Sequence, residues 1–113
     1  MKKLETFGIG ILGDLDATSI AEKIQKKEFS AQEAVECAIE RAKNIDPIIN
    51  AIVYDDFSAA KENSKTKQTG IFAGVPTFIK DLNDVKGMPT LKGSSAYKIV
   101  KEKKNDKIVD QFL

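Results

Sequence analysis

The sequence predicts an α/β fold with a mixed β-sheet flanked by α-helices, and three features of the chain lead to this prediction. Two stretches between residues 19 and 45 repeat apolar residues at helical spacing, each behind a possible capping box. Residues 48–54 form a run rich in β-branched side chains, which is typical of a strand. Residues 75–80 are mostly apolar on both alternating faces, as expected for a strand covered on both sides.

Composition and charge exclude several classes of protein. A chain of 113 residues makes one small domain or part of a larger one, and 42% hydrophobic with 31% charged residues is ordinary for a globular protein. Lys and Arg number 18 and Asp and Glu 17, so the net charge of +1 indicates neither a nucleic-acid partner nor a membrane partner. The absence of histidine excludes Ser-His-Asp and Cys-His catalysis as well as His-ligated metals.

Cysteine usage and hydropathy predict a cytoplasmic protein. Cys37 is the single cysteine, so no intramolecular disulfide can form. No basic residue is obviously placed to activate its thiol, and a small, partly buried side chain is the simpler interpretation. No stretch approaches the roughly 18 apolar residues of a membrane span.

The first 15 residues are predicted to be a flexible N-terminal arm. They contain a literal G-x-G-x-x-G at Gly8, Gly10 and Gly13. A dinucleotide site requires a strand before this motif and a helix opening at its end, because the pyrophosphate binds helix N–H groups. Only seven residues precede Gly8, so we expect no cofactor there.

Capping signals place the first two helices. Thr18, or a capping box of Ser19 with Glu22, begins the first helix, and a box of Ser30 with Glu33 begins the second. The second helix carries an apolar stripe made up of Ala34, Val35, Ala38, Ile39, Ala42 and Ile45. We expect this stripe to face the core.

Local signals continue to the end of the chain. Pro47 is predicted to end the second helix before the strand at 48–54. A third, weakly amphipathic helix is predicted near 57–64. The lysine-rich stretch 98–107 indicates a solvated connection, and 108–113 have the spacing of an amphipathic helix.

Lys80 ends the apolar run at 75–80, which is an unusual place for a charge. It would lie at the carboxyl end of a buried strand, where open α/β sheets bind their ligands, although its long stem could also extend to solvent. The irregular stretch 81–95 that follows is typical of an ordered functional loop. Asp81 and Asp84 lack a third ligand, so no metal site is predicted.

The segment GVPTFIKDLNDVKGMPTLKGSS at 74–95 resembles the lysine-bearing segment of the amidase signature family. The upstream helices, Asp46-Pro47 and the stretch 50–53 also resemble the lead-in of these enzymes. The resemblance implies that residues 16–113 are the N-terminal part of an amidase-signature fold.

The same resemblance implies hydrolysis of carbon–nitrogen amide bonds by a Ser-cisSer-Lys triad. Lys80 matches the triad lysine, which relays a proton through the cis serine to a nucleophilic serine. Asp81, Gly93 and Ser94 match positions that support the loop. A lysine accepts a proton near neutral pH only where its charged form is destabilised, and burial at a sheet end would do that. The implied substrate is a small-molecule amide, with no cofactor.

Both triad serines of the family lie in a later Gly/Ser-rich segment that these 113 residues do not contain. We therefore expect a truncated amidase, inactive as this chain, that self-associates through uncovered apolar surface; the alternative is a non-catalytic remnant or binding module. Ser95-Ala96-Tyr97-Lys98 is a literal S-x-x-K, but Ser58 to Lys61 and Ser64 to Lys67 match as well, so chance explains it. No substitute nucleophile is predicted.

Overall fold

Helices and irregular segments make up the described structure. A computed structural model describes residues 3–5 and 7–113, and residues 1, 2 and 6 of the predicted N-terminal arm lie outside it. The helices, in chain order, are α1 (Ala17–Gln25), α2 (Ala31–Ile49), α3 (Phe57–Ser64) and α4 (Lys107–Phe112). The described residues form no strand, and their only β-type pairings are isolated bridges between Lys86 and Glu102 and between Pro89 and Lys101.

The predicted α/β class is therefore wrong for the described residues, because they contain no mixed sheet for the helices to flank. Residues 75–80 are outside any helix, as predicted, but no second segment pairs with them. A strand is stable only when its N–H and C=O groups bond to a neighbouring strand. The β-type side-chain pattern of this run cannot replace a partner strand.

The predicted strand at 48–54 is also wrong, for a different reason. Helix α2 continues through Pro47 to Ile49, and Asn50 then ends it in the left-handed conformation with φ of 50°. The backbone N–H of Asn50 donates to the Asp46 carbonyl at 2.7 Å. Proline in the last helical turn removes only one N–H donor, and its fixed φ is compatible with a helix. The helix therefore ends at an αL residue rather than at the proline.

Side-chain caps begin the first two helices. The capping box predicted for α2 is confirmed, because Ser30 accepts the Glu33 N–H while the Glu33 carboxylate accepts the Ser30 N–H. The caps predicted for α1 are wrong. Asp16 is the N-cap, and its carboxylate accepts the Ser19 N–H at 2.8 Å. A carboxylate at this position also interacts favourably with the positive end of the helix dipole.

The described chain divides into two compact units, of which the first takes in residues up to Asn50 and Phe57–Pro76. Its core lies where α1 and α2 turn their apolar faces inward. The buried cluster consists of Leu12, Ile20, Ala34 and Cys37, with Leu15, Ile24, Phe29, Ala38 and Val75 packed against it. Helix α3 packs against α2, with the Lys43 ammonium 5.9 Å from the centre of the Phe57 ring.

A turn in the first 15 residues lies against α2 in this unit. The Arg41 guanidinium donates to the carbonyl oxygens of Ile9 and Gly13. Gly10 has a φ of 68°, and a Cβ built on it would lie 2.6 Å from the Cys37 sulfur. The close approach of the turn to the helix therefore requires glycine at this position. The prediction that Cys37 is a small, partly buried side chain is confirmed.

The second unit comprises Ala51–Asp56 and Thr77–Leu113. Its regular structure is α4 and the two isolated bridges, and hydrogen bonds between loop segments connect the rest. The predicted final helix is confirmed, and Val109 on its inner face is 1% exposed. The segment predicted to carry the functional residues lies in this unit.

Candidate functional site

Lys80 lies at the entrance to the irregular loop, on the surface of the described structure. Its carbonyl oxygen accepts the N–H groups of Leu82 and Asn83 at 2.7 and 3.0 Å, so a tight turn begins at this residue. The residue is exposed, and within the described chain no hydrogen bond or ion pair to its ammonium is found. The predicted position at the end of a buried strand is therefore wrong for these residues, and the catalytic role stays a prediction.

Asp81 closes the loop that Lys80 begins. Its Oδ1 accepts the backbone N–H of Leu91 at 2.8 Å, and its Oδ2 accepts that of Gly93 at 2.8 Å. The backbone N–H of Lys92 also interacts with the Asp81 carboxylate and helps to lower its pKa. Lys92 and Gly93 have positive φ values of 52° and 69°, which turn successive N–H groups toward the same point. Such a concave arrangement of backbone N–H groups binds an anion, and here the anion is the side chain of Asp81.

These hydrogen bonds stabilise the charged form of the Asp81 carboxyl. The backbone N–H of Leu91, followed by that of Gly93, holds its pKa below the ordinary value, while desolvation acts in the opposite direction. Asp81 is therefore ionised near neutral pH. A carboxylate in this state accepts hydrogen bonds only, which suits it to fixing a loop rather than to donating a proton.

Gly93 and Ser94 form the far end of the same loop. The Ser94 N–H donates to the Leu91 carbonyl at 2.9 Å, and the Ser94 hydroxyl oxygen accepts the Ala96 N–H at 3.2 Å. The ammonium of Lys92 stacks on the Tyr97 ring, 5.5 Å from its centre. These contacts form a turn directly after the two hydrogen bonds from Leu91 and Gly93 to the Asp81 carboxylate, which we call the Asp81 clamp.

A second set of contacts ties the loop to the start of α4. Two hydrogen bonds join Asp84 to Asp106. The Asp84 N–H donates to the Asp106 carboxylate, and the Asp106 N–H donates to the Asp84 backbone carbonyl, both at 2.9 Å. The Asp84 carboxylate also accepts the Thr90 hydroxyl at 2.8 Å, and the Asn105 side chain accepts the Lys86 N–H at 2.6 Å. These residues were not predicted as part of the site. An Asn-Asp pair before an apolar helical run signals a helix N-cap, but the Asp106 side chain makes no cap bond and turns to Asp84 instead.

The loop does not assemble a catalytic triad within the described residues. No serine hydroxyl there hydrogen-bonds a lysine ammonium, and this includes Ser94 and Ser95 beside the S-x-x-K match. In the same residues, no group of three or more His, Cys, Asp or Glu side chains is placed to hold a metal ion. None of the described helices is both long enough and apolar enough to cross a membrane.

Comparison with known proteins identifies the family. The family model for amidases matches residues 33–113, which include the loop from Lys80 to Ser94. AmiC of Mycobacterium leprae, an amidase by name, is 39% identical over 97 residues, which cover 86% of this chain and 21% of AmiC. Fatty-acid amide hydrolase 2-A of Danio rerio is 33% identical over 94 residues, covering 70% of this chain and 18% of that enzyme.

A third relative differs in its named substrate. The 6-aminohexanoate-cyclic-dimer hydrolase of Paenarthrobacter ureafaciens is 39% identical over 70 residues, covering 62% of this chain and 14% of the hydrolase. The chain thus spans about a fifth or less of the length of these relatives. The match over 33–113 confirms the resemblance seen in the sequence, and the chain belongs to the amidase signature family.

Proposed function

We propose that the polypeptide carrying this segment hydrolyses carbon–nitrogen amide bonds of small molecules, with Lys80 as the general base of a Ser-cisSer-Lys triad. The observation that carries the proposal is the position of Lys80-Asp81 inside the stretch that matches the amidase family. One relative is named a fatty-acid amide hydrolase and another a hydrolase of the 6-aminohexanoate cyclic dimer, and both names support this proposal. Both triad serines would lie outside these 113 residues.

The chemistry requires more than the 113 residues provide around Lys80. A lysine acts as a base near neutral pH only where its ammonium is desolvated or lies near another cation, and Lys80 is exposed. Under this proposal, further residues of the amidase domain cover Lys80 and bring the two serines to it. The isolated chain is then inactive.

The clamp formed by Asp81 supports a positioning role for the loop. Asp81 follows Lys80 directly, and its carboxylate is held by backbone N–H groups ten and twelve residues further along the chain. Because both oxygens are bound, the peptide that joins Lys80 to Asp81 has little freedom to rotate. A fixed backbone at this position orients the stem of Lys80, and catalysis by a base depends on such orientation.

The test compares lysine variants in a full-length amidase polypeptide that contains this segment. Lys80→Ala is expected to lower turnover of a simple amide by at least about 10²-fold, and Lys80→Arg to fare little better, since a guanidinium stays protonated. Lys86→Ala and Lys92→Ala are the matched controls, because both lysines are exposed and lie in the same loop. Thermal unfolding of all four variants separates lost chemistry from lost folding. A Lys80→Arg enzyme that keeps most of its activity would end the general-base proposal.

A non-catalytic binding module is the second candidate, and the exposed apolar side chains of the second unit favour it. Ile99 is 73% exposed and Val100 63% exposed, so two adjacent aliphatic side chains lie on the surface. Such a module would bind its partner equally well with alanine at position 80. The lysine variants therefore distinguish the two candidates.

A further inference from the structure

Asp106 lies at the N-cap of α4, but its side chain does not cap that helix. The residue has the extended backbone of a cap, with φ of −64° and ψ of 153°, and within the described chain its carboxylate makes no bond to a helix N–H. It accepts the Asp84 N–H at 2.9 Å instead, across 22 residues. An aspartate at this position usually stabilises the start of its own helix. Here the carboxylate holds the loop that follows Lys80.

Asp84, the partner of Asp106, comes directly after the turn that begins at Lys80. The Lys80 carbonyl accepts the N–H groups of Leu82 and Asn83, and these two bonds form the turn. The Asp84 carbonyl accepts the Asp106 N–H at 2.9 Å, in addition to the bond that the Asp84 N–H donates to the Asp106 carboxylate. Both backbone polar groups of Asp84 are therefore bonded to one residue, and this fixes the point where the chain leaves the turn.

The carboxylates of Asp81 and Asp84 bond to consecutive residues on the far side of the loop. Oδ1 of Asp81 accepts the Leu91 N–H, and Oδ1 of Asp84 accepts the Thr90 hydroxyl, both at 2.8 Å. Thr90 and Leu91 are both half-buried. The turn that begins at Lys80 is thus held near both of its ends against one short stretch of chain.

We infer that Asp106 is a positioning residue for Lys80, because it holds the backbone of Asp84 and so fixes the turn from which the Lys80 stem extends. The inference rests on the proposed function, in which Lys80 is the general base. Lys80 itself is exposed, so the backbone of the loop determines where its stem begins. A catalytic group displaced by about 1 Å can lose about 10²-fold in rate. A loss of this kind lowers kcat and leaves substrate binding, and with it KM, nearly unchanged.

Two substitutions separate this role from a role in the stability of α4. Asp106→Ser keeps a residue that caps helices well, but its hydroxyl lies one bond nearer the backbone than a carboxylate oxygen and does not reach Asp84. Asp106→Asn keeps a side-chain oxygen that can still accept the Asp84 N–H. Asp55→Ser is the matched control, since Asp55 is an exposed carboxylate of the same unit.

Kinetics are measured in the full-length amidase polypeptide that also carries the Lys80 variants. Asp106→Ser is expected to lower kcat for a simple amide by about tenfold or more with KM nearly unchanged, whereas Asp106→Asn should keep most of the activity. Equal kcat for Asp106→Ser and Asp55→Ser would overturn the inference. So would an equal loss in Asp106→Asn, because the acceptor oxygen is still present there.

Thr90→Val provides a second variant that leaves α4 unchanged. It removes the hydroxyl bond to the Asp84 carboxylate, and we expect a smaller fall in kcat of the same kind. If thermal unfolding shows that Asp106→Ser does not fold, Thr90→Val decides the outcome. A Thr90→Val enzyme with the kcat of the wild type would then overturn the inference.

Hydrogen exchange in the 113-residue chain measures the contact without any catalysis. Asp106→Ser should speed exchange of the Asp84 amide by about tenfold or more, while the Asp110 amide, which donates to the Asp106 carbonyl within α4, should be unchanged. Unchanged exchange at Asp84 would overturn the inference even if kcat falls. A Lys80→Arg enzyme that stays active overturns the proposed function instead, whatever the exchange rates are.

Discussion

The Asp81 carboxylate accepts the backbone N–H of Gly93 at 2.8 Å, across twelve residues of irregular chain. Together with the bond to Leu91, it closes the loop that begins at Lys80 without any strand or helix. Loops of this length that lack secondary structure depend on such internal contacts for their order.

Asp81→Asn should destabilise the second unit. An amide oxygen can keep one of the two backbone hydrogen bonds, whereas the NH₂ group that replaces the other oxygen cannot accept one. We expect a loss of about 1 kcal/mol, less than for a buried charged hydrogen bond because the site is partly exposed. Urea unfolding of both proteins measures it. Asp55→Asn is the control, since Asp55 is an exposed carboxylate, and an equal loss there would contradict the role of the clamp.

The contribution of Asp81 to stability should disappear at acidic pH. Its pKa is lowered in the folded chain by the N–H groups of Leu91 and Gly93, so the unfolded chain binds the proton more readily. The stabilisation is therefore complete above the ordinary pKa of about 3.9 and is lost as pH falls through the lower folded value. The gap in unfolding free energy between wild type and Asp81→Asn should narrow as the pH falls below about 4. A gap independent of pH would exclude the ionised clamp.

Other carboxyl groups contribute to the same acid dependence, which is why the difference between the two proteins is the useful quantity. The N–H and hydroxyl of Ser30 lower the pKa of Glu33, those of Ser19 lower the pKa of Asp16, and a hydrogen bond from Lys23 lowers that of Glu28. All three groups lie in the first unit and are unchanged in Asp81→Asn. Their contributions cancel when the two unfolding curves are subtracted.

Gly10→Ala should destabilise the chain more than Gly13→Ala. Both glycines have positive φ, which costs about 1 kcal/mol for alanine. Only at Gly10 would the new Cβ meet the Cys37 sulfur, at 2.6 Å, and such overpacking adds about 1–3 kcal/mol. Thermal unfolding compares the two variants. Adding Cys37→Ala should restore part of the loss in Gly10→Ala and none in Gly13→Ala, and the reverse would show that the two residues are not in contact.

The 113-residue chain should not react with a serine-directed phosphonate probe. Within the described residues no serine hydroxyl is hydrogen-bonded to a lysine ammonium, so none has the partner that activates a nucleophile. Mass spectrometry of the probe-treated chain, beside an active serine hydrolase as positive control, gives the answer. Stoichiometric labelling of Ser94 or Ser95 would contradict it.

The chain should associate in solution, and more strongly as salt is added. Exposed residues such as Phe78, Ile99 and Phe112 favour association, whereas the lysines of 98–107 repel between copies at low ionic strength. Light scattering at about 20 mM and about 300 mM salt measures both effects, since the screening length falls well below 10 Å at the higher value. A monomer at every concentration and salt level would rule this out.

The start of a helix could be predicted from the sequence where both partners of its cap lie within a few residues of each other. The Ser30 and Glu33 pair begins α2 as expected, because both partners of each bond belong to the same turn. The strand predicted at 75–80 is wrong because these residues have the side chains of a strand but no partner along the described chain. The prediction that Pro47 ends α2 is wrong because the effect of a proline depends on how far it lies from the helix end.

The same distinction applies to the candidate site. The motif around Lys80 and Asp81 identified the family from neighbouring residues alone. The contact of Asp84 with Asp106 joins residues 22 apart, and nothing in either local sequence indicates the other. The exposure of Lys80 likewise depends on what covers the loop, which no local pattern contains.

The thiol of Cys37 can report how often the turn around Gly10 separates from α2. Its thiol is buried, with the Ile9 carbonyl 3.8 Å from the sulfur and Gly10 packed so closely that a methyl group would not fit. A thiol reagent therefore reaches Cys37 mainly when the turn lifts from α2 or when the chain unfolds. With a single cysteine in the chain, every labelled molecule records one such opening. The labelling rate of the folded chain, divided by that of the unfolded chain, gives the fraction of time that Cys37 is accessible to the reagent.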